Sequence, residues 1–282
     1  MSVLSWNRYG KSRIRLVKVR RAGGVHDIVD LTVDVQLEGA FEPVYVDGDN
    51  TPCLATDTMK NTVYAMARTD PIEHAEVFAQ RLADHFSSKP AVERARISIA
   101  EQRWDRLAAN GRPHPHAFVQ AGDEHWTAVV TREAGASRVV SGLTHLVVLK
   151  TAESAFSGFP RDAFTTLPDT DDRLLATSIT ASWTYREGTT DFGVRDRIRA
   201  ALLETFAAHR SRSVQHTLYA MGEVVLDSID LVEHITLEMP NRHHLPVDLT
   251  RFGMDNRNEI FVATEEPHGL IKATLTRQTL SR

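Results

Sequence analysis

The sequence predicts an α+β fold in which one unit occurs twice, each unit an antiparallel sheet with helices on one face. Residues 29–37 alternate strictly between apolar and polar side chains, as in a strand with one buried and one wet face. The order strand-strand-helix-helix-strand occurs in both halves, and Val92-Glu93 and Val232-Glu233 open equivalent strands. We therefore expect two domains, at residues 1–135 and 136–282.

In the N-terminal half, a hairpin of two strands comes first, over residues 10–20 and 29–37. The apolar phase of the first strand slips at Leu16-Val17, which predicts a bulge there. A helix should begin at Thr56-Asp57-Thr58, because all three residue types cap helix N-termini. The other expected elements are a helix after Pro71, a strand over 92–99, a connection over 106–116, and strands over 117–120 and 126–132.

The C-terminal half should repeat this order around a looped segment, residues 154–162. The spacing of apolar residues, every second residue in strands and every third or fourth in helices, predicts its strands and helices. The expected strands lie at 145–150, 174–185, 235–239, 260–263 and 270–275, and the expected helices at 194–206 and 214–225.

Composition restricts the class of partner. The 282 residues carry a net charge of −4, whereas phosphate binding needs a basic excess, so nucleic acid is not expected. No apolar run approaches the roughly 18–20 residues of a membrane span. The wet sheet faces instead favour oligomerisation, since several short sheets could close into a barrel. We expect a small-molecule ligand and further copies of the chain as partners.

Two features bear on the cellular compartment. The single cysteine, Cys53, cannot form an internal disulfide, which fits a reducing environment. The chain as given ends in Leu280-Ser281-Arg282, one residue short of a Ser-basic-Leu peroxisomal signal. We therefore expect a cytoplasmic protein.

The strand that ends in residues 239–244 carries the first candidate site. Residues two apart share a face of a strand, so Asn241 and His243 should project together, opposite Arg242 and His244. A paired amide and imidazole can position and deprotonate a small molecule. The simpler alternative is a solvated polar strand end. A metal site formed by both histidines is disfavoured, because they diverge across the strand.

Ten short motifs occur in one order along nearly the whole chain. They are Tyr9-Gly10-Lys11, Asp27-Ile28-Val29-Asp30-Leu31-Thr32-Val33, Ala55-Thr56-Asp57-Thr58-Met59-Lys60-Asn61-Thr62, Phe156-Ser157-Gly158-Phe159, Arg161-Asp162, Thr165-Thr166-Leu167, Asp172-Arg173-Leu174-Leu175, Ser213-Val214-Gln215, Pro240-Asn241-Arg242-His243 and Gly269-Leu270-Ile271-Lys272. As an ordered set they resemble the urate oxidase (uricase) family.

The resemblance implies a fold and an activity. The family's tunnelling fold is a tandem repeat, and four chains stack into a β-barrel tunnel with active sites at chain–chain interfaces. Its enzymes convert urate, dioxygen and water to 5-hydroxyisourate and hydrogen peroxide without a cofactor or metal. The resemblance thus implies a homotetramer whose partners are urate and dioxygen.

The resemblance also assigns residues that bind the substrate. Taken alone, Arg173 is most simply a surface ion pair beside three aspartates, Phe156 a core residue and Gln215 a polar helix start. The matching family residues bind the urate anion with the guanidinium fork, stack on the purine and complement its edge. The backbone of Val214 acts beside Gln215.

A proton relay is implied for Lys11, Thr56 and His243, with Thr56 and Lys11 supplied by different chains. Taken alone, Lys11 is a solvated strand lysine and Thr56 a helix cap. A partly desolvated lysine can accept a proton, which the threonine hydroxyl would pass on. Asp57 would hold the substrate through its backbone N–H, and Asn241 and Thr56 would flank the dioxygen site.

Two other classes of function remain open at this point. One is a tunnelling-fold protein that binds a purine or pterin without oxidising it, or that uses zinc for different chemistry. Zinc needs clustered ligands, and the six histidines weighed show no convincing ligand spacing: His114, His116, His125, His234, His243 and His244. The other class is a purely structural protein, against which the coincidence of the site residues argues.

Overall fold

The computed structural model describes residues 2–278, which form two compact units, Met1–Gly142 and Leu143–Arg282. The boundary lies after Gly142, whereas the sequence predicts it after residue 135. Both units combine antiparallel strands with helices, which confirms the α+β class. The terminal Leu280-Ser281-Arg282, on which the expected compartment depends, lies outside the described residues.

The first unit is a four-stranded antiparallel sheet in the order β1-β2-β3-β4 with three helices. Its elements are β1 Tyr9–Ala22, β2 Val25–Gly39, α1 Glu42–Val46, α2 Thr56–Thr69, α3 Ala75–Ser87, β3 Val92–Ala109 and β4 Arg112–Glu133. The alternation read in β2 is confirmed, because Leu31, Val33, Val35 and Leu37 are all fully buried. The five-residue α1 is too short for a helical period to reveal.

The second unit repeats this order of elements. They are β5 Ala136–Lys150, which begins before the boundary, β6 Leu175–Tyr185, α4 Arg195–Ala208, α5 Val214–Ser228, β7 Val232–Pro246, a 3₁₀ turn Thr250–Phe252 and β8 Phe261–Thr276. Strands β6, β7 and β8 are neighbours and antiparallel. β3 and β7 begin at Val92 and Val232, the positions that the sequence makes equivalent.

The helices bury the apolar stripes that their sequences predict. In α3, Phe78, Leu82 and Phe86 are fully buried, and in α5, Leu218 and Met221 are at most 1% exposed. A stripe at this spacing packs one face of a helix on a sheet and leaves the other face in water. None of the helices within residues 2–278 is long and apolar enough to cross a membrane.

The bulge in β1 does not lie where the sequence predicts it. The register shift falls between Lys11 and Ile14, whereas Leu16-Val17 pairs with β2 without interruption. Arg13 adopts a left-handed φ of 56°, and its N–H donates to Oδ1 of Asp34 at 2.5 Å. The partner that satisfies the bulged amide comes from β2, so the sequence of β1 alone cannot locate the bulge.

The expected connection over residues 106–116 is wrong, because these residues form the end of a hairpin. β3 and β4 extend into it and turn at Asn110-Gly111. The prolines that suggested a break have no N–H to donate to a ladder. The Arg106 guanidinium adds side-chain bonds between the two strands here, donating to the carbonyl oxygens of His114 and Pro115, both at 2.9 Å.

Two pairs of short expected strands are each one long strand. Residues 117–120 and 126–132 both belong to β4, and the expected strands 260–263 and 270–275 both fall in β8, which begins one residue later, at Phe261. In each case the intervening residues are mostly polar or small. Alternation reports burial on one face, so it cannot detect the part of a strand that is wet on both faces.

Candidate active site

Three of the predicted site residues lie in the first unit, where the start of β1 meets the start of α2. Lys11 pairs with Val35, whose side chain is buried, so both side chains are on the helix side of the sheet. Lys11 is half-buried, and its charge is one of the influences that lower the pKa of Asp57. Lys11 therefore acts electrostatically on the N-terminus of α2, where Thr56 and Asp57 lie.

Two neighbours of Lys11 hold this arrangement. A Cβ at Gly10 would lie 1.9 Å from the carbonyl oxygen of Val35, so only glycine fits against β2 here. The Tyr9 hydroxyl accepts the N–H of Leu54 at 2.9 Å and so ties β1 to the residues just before α2. Burial, with a further contribution from Cys53, raises the pKa of Tyr9, so the phenol stays neutral.

The N-terminus of α2 offers free donors, but the predicted capping by side chains is wrong. Ala55 is the N-cap and has no side-chain hydrogen bond. The first helical bond runs from the N–H of Met59 to Ala55 at 3.1 Å, which leaves the amides of Thr56 and Asp57 outside the helical ladder. Because the Thr56 hydroxyl is not used as a cap, it is available for chemistry.

The Asp57 carboxylate is directed along the helix surface. It accepts from Lys60 at 2.5 Å and from Asn61 at 2.9 Å. The hydrogen bond from Lys60 and the charge of Lys60 are the main causes that lower the pKa of Asp57. The side chain is therefore engaged within α2, and only the backbone amide of Asp57 is left to meet a ligand.

In the second unit, backbone hydrogen bonds join three separate segments. Ala155 donates to Ser211 at 2.8 Å, and Ser211 donates to Glu153 at 2.9 Å. The N–H of Arg173 donates to Ser154 at 2.8 Å. These bonds bring the segment before Phe156, the start of β6 and the turn before α5 to one place, although they are far apart in sequence.

Phe156 and Arg173 form the centre of this cluster. The guanidinium carbon of Arg173 lies 5.2 Å from the centroid of the Phe156 ring. The same ring stacks on Phe159 at 4.9 Å with an interplanar angle of 13°. Both Phe156 and Arg173 are half-buried. A planar cation and an aromatic face are thus presented together, which suits a flat anionic ligand.

Arg173 is not the surface ion pair that its sequence neighbours suggest. Asp172 accepts from the N–H of Ser154 and Asp169 from that of Gly158, so both carboxylates are used in the loop. Within residues 2–278, the Arg173 side chain has no ion pair, and its buried Nε has no hydrogen-bond partner. Burial lowers the pKa of Arg173.

Val214 and Gln215 are the first two residues of α5. The Ser213 hydroxyl caps the helix by accepting the N–H of His216 at 3.1 Å, and the first helical bond runs from Thr217 to Ser213. The amides of Val214 and Gln215 are therefore free donors at a positive helix end. The Gln215 side chain is exposed.

Asn241 and His243 lie on β7. Asn241 pairs with Thr177 on β6, four residues after Arg173, and with Gly269 on β8. From Asn241 to His243 the pairing on β8 jumps from Gly269 to Thr264, so the extra residues lie on β8. β7 is therefore continuous through the pair.

The predicted faces of these residues are not distinguished by burial. Along β7 burial alternates as far as Met239, but residues 241–244 are all half-buried. Arg242 lies 3.7 Å from Glu265, and the Nδ1 of His244 lies 3.3 Å from the carbonyl oxygen of Arg242. The assignment of Asn241 and His243 to one face stays a prediction.

Within the part of the chain that the structure describes, no group of three or more His, Cys, Asp or Glu side chains could hold a metal ion. Histidines do meet in pairs: His114 contacts His116, and His209 contacts His216. The second pair lies beside Gln215 and was not singled out by the sequence. Its two members join different helices, so no local pattern predicts the contact.

Comparison with known proteins decides the family. The family model described as Uricase matches residues 7–131 and 139–272. The chain belongs to the uricase family. Among the relatives of this uricase-family chain, the uricase of Arthrobacter globiformis is 43% identical over 278 residues, which cover 98% of this chain and 90% of the relative. The uricase of Aspergillus flavus is 36% identical over 298 residues, which cover 99% of each.

Solved uricase structures share the fold. The crystal structure of the uricase from Arthrobacter globiformis matches this uricase-family chain with a TM-score of 0.94 and 43% identity, covering 100% of this chain and 97% of that one. The uricase structure from Bacillus fastidious matches with a TM-score of 0.83 at 20% identity, covering 96% and 93%. The second likeness extends the fold to a distant sequence.

Proposed function

We propose that this chain oxidises urate with dioxygen and water to 5-hydroxyisourate and hydrogen peroxide, without a metal or organic cofactor. The observation that carries the proposal is the half-buried guanidinium of Arg173, which lies beside the Phe156 ring, has no ion pair within residues 2–278 and has no hydrogen-bond partner there for its Nε. Partial burial of the guanidinium without a counter-ion costs solvation energy, which the contact with the Phe156 ring offsets only in part, and a flat anion would relieve the remaining cost. Membership of the uricase family makes urate the flat anion concerned.

The binding roles follow from the donors that each segment presents. Arg173 would pair with the substrate anion through its fork, while Phe156 would stack on the purine ring. The amide of Val214 and the side chain of Gln215 would complement one edge of the purine. The free amide of Asp57, at the positive end of α2, would hold the opposite edge.

The chemistry requires an electron-rich substrate. Lys11, Thr56 and His243 would act as a relay that removes a proton from urate, since the dianion can give electrons to dioxygen directly. Asn241 and Thr56 would hold dioxygen, and later water, above the ring. The half-buried position of Lys11 and the uncapped hydroxyl of Thr56 support these roles.

We further propose that two tunnelling-fold repeats per chain and four chains close a barrel, and that Lys11 and Thr56 of different chains meet at each site. Among the strands of the described part of the chain, β1 pairs with β2 alone, and its Val17 and Val19 side chains are exposed, at 55% and 37%. An open edge with apolar residues favours association with another strand. Analytical ultracentrifugation should give a tetramer; an active monomer would refute the shared site.

The activity is tested by mixing purified, chelator-dialysed protein with urate and following urate absorbance and peroxide release together. We expect stoichiometric peroxide that does not depend on added metal. Activity that appears only after a metal is restored would refute the cofactor-free proposal.

The relay is tested with Lys11→Met and Thr56→Ala, each expected to lower kcat by about 100-fold or more. Matched controls come from the same elements. Lys18→Met changes a β1 lysine that donates to carbonyl oxygens of the protein, and Thr58→Ala changes an exposed hydroxyl of the same helix turn. Both controls should keep kcat within about twofold. Near-normal turnover by both relay variants would remove the relay.

A further inference from the structure

Two histidines lie against each other beside the proposed purine-binding end of α5. His209 follows the last residue of α4, and His216 is in the first turn of α5. The Nε2 of His209 lies 3.1 Å from the Nδ1 of His216, and the ring centroids are 4.4 Å apart. The backbone N–H of Arg212 also points to this Nδ1, at 3.4 Å.

The protonation state of the pair follows from these partners. A backbone N–H can only donate, so the Nδ1 of His216 accepts and carries no proton. The facing Nε2 of His209 must then carry a hydrogen and donate it. One nitrogen, the Nδ1 of His216, thus receives two hydrogen bonds, and both depend on its lone pair.

These bonds hold the turn from which α5 begins. His209 and Arg212 lie at either end of the turn, and both bond to the ring of His216. Between them, Ser211 is joined to the Phe156 segment through Glu153 and Ala155. The His216 ring therefore ties α5 to the same segments that present Phe156 and Arg173.

We infer that His216, held by His209, is a positioning residue that sets the purine-binding end of α5 and is released when its Nδ1 takes up a proton. This inference rests on the proposed binding roles of Val214 and Gln215. Protonation would turn the acceptor into a donor, so that an N–H would face the hydrogens of both His209 and Arg212. The neutral ring of His209 can change tautomer and accept from the protonated ring, so the bond that must be lost is the one from the N–H of Arg212. The turn before α5 would then be held less firmly, and urate would bind more weakly.

The surroundings of the pair favour the neutral state. Lys150 donates to the carbonyl oxygen of His209 at 2.8 Å, and the turn itself carries Arg210 and Arg212. Glu153, whose carbonyl oxygen accepts the N–H of Ser211, has its carboxylate 3.9 Å from Lys150. Burial, then the nearby His216, then Lys150 lower the pKa of His209.

The experiment compares the KM for urate and the inhibition constant of a non-oxidised purine, xanthine, at about pH 6 and about pH 8.5, on either side of the ordinary imidazole pKa. His216→Asn keeps an acceptor oxygen where Nδ1 lies but does not titrate, whereas His216→Ala has no acceptor. His85→Asn, in α3 of the first unit, controls for the loss of a histidine. Ionisation of the ligands affects every variant equally.

At about pH 8.5, His216→Asn should match the wild type, and His216→Ala should have a KM and an inhibition constant roughly three- to tenfold higher, as the loss of one or two hydrogen bonds predicts. From high to low pH, both constants should rise roughly three- to tenfold more in the wild type and His85→Asn than in His216→Asn. The kcat of every variant should stay within about twofold.

A wild-type pH profile in His216→Asn, or wild-type constants in His216→Ala, would overturn the inference. Should the His216 variants fail to fold, His209→Ala removes the donor of the same bond and should also raise both constants at high pH; unchanged constants there would overturn it. Gln215→Ala distinguishes a failure of the proposed binding role of Gln215 from a failure of the positioning role of His216. If Gln215→Ala leaves both constants unchanged, the proposed binding role fails; if it raises them while His216→Ala does not, only the positioning role fails.

Discussion

Replacing Arg173 by glutamine tests whether the unpaired guanidinium serves binding or folding. The substitution keeps a hydrogen-bond donor and removes the charge and the fork. Each hydrogen bond to a charged group contributes about 1.5–3 kcal/mol. Loss of a bidentate pair with the substrate should therefore lower kcat/KM by about 100-fold or more.

The free energy of unfolding, measured without substrate, should hardly change in Arg173→Gln. Arg173 loses solvation on folding and makes no ion pair within residues 2–278, so removing its charge relieves a cost. The same change removes a cation–π contact with Phe156, which contributes about 0.5–1 kcal/mol at a partly exposed site. The two effects oppose each other, and the free energy of unfolding should stay within about 1 kcal/mol of the wild-type value.

Arg161→Gln is the matched control. Arg161 lies 5.0 Å from the Phe159 ring centroid in the same loop and pairs with Asp169 at 3.3 Å. Steady-state urate oxidation and urea denaturation of both variants distinguish a role in substrate binding from a role in folding. Arg161→Gln should keep kcat/KM within about twofold. If Arg173→Gln keeps the wild-type kcat/KM, the guanidinium does not bind the substrate. If it loses more than about 2 kcal/mol of stability, the arginine is structural. Either result would refute the reasoning.

Two further predictions concern the start of β1 and of α2. Gly10→Ala should lower the free energy of unfolding by about 1–3 kcal/mol or more and reduce activity, because its Cβ would lie 1.9 Å from the Val35 oxygen. In the control Gly269→Ala, the new Cβ has no contact under 3.7 Å, so the loss should be under about 1 kcal/mol. Equal melting temperatures of the two variants would contradict this. Lys60 lowers the pKa of Asp57, so their ion pair stabilises the fold above the ordinary carboxyl pKa of about 4 and loses this effect as the pH falls through the lowered pKa. The melting temperature of Asp57→Asn should therefore converge on that of the wild type in acid. A difference that stays constant with pH would exclude the pair as the cause.

The elements that bury one face were predictable, because alternation and helical stripes report burial directly. β2, α3 and α5 lie where their patterns place them. The middle parts of β4 and β8, between the strands that the sequence predicts, were missed because they are largely wet on both faces. The bulge after Lys11 was misplaced because its partner, Asp34, lies on another strand.

The site residues stay a prediction from the ordered motifs, and the sequence does not give the contacts that these residues make. The ordered motifs name Arg173, Phe156 and Gln215, and the family model bears out the resemblance behind them. The motifs do not show that Arg173 lacks an ion pair, since three aspartates flank it in sequence. That fact depends on where those carboxylates bond in the loop.

By itself, the sequence determined the α+β class, the repeated order of elements and the family, because these are carried by periodicity and by motifs in order. The tertiary structure decided which groups are free to act. Within residues 2–278, it leaves the Nε of Arg173 without a hydrogen-bond partner, pairs the Asp57 carboxylate with Lys60 and sets His209 against His216. Each of these depends on hydrogen bonds whose partners only the folded chain brings within reach.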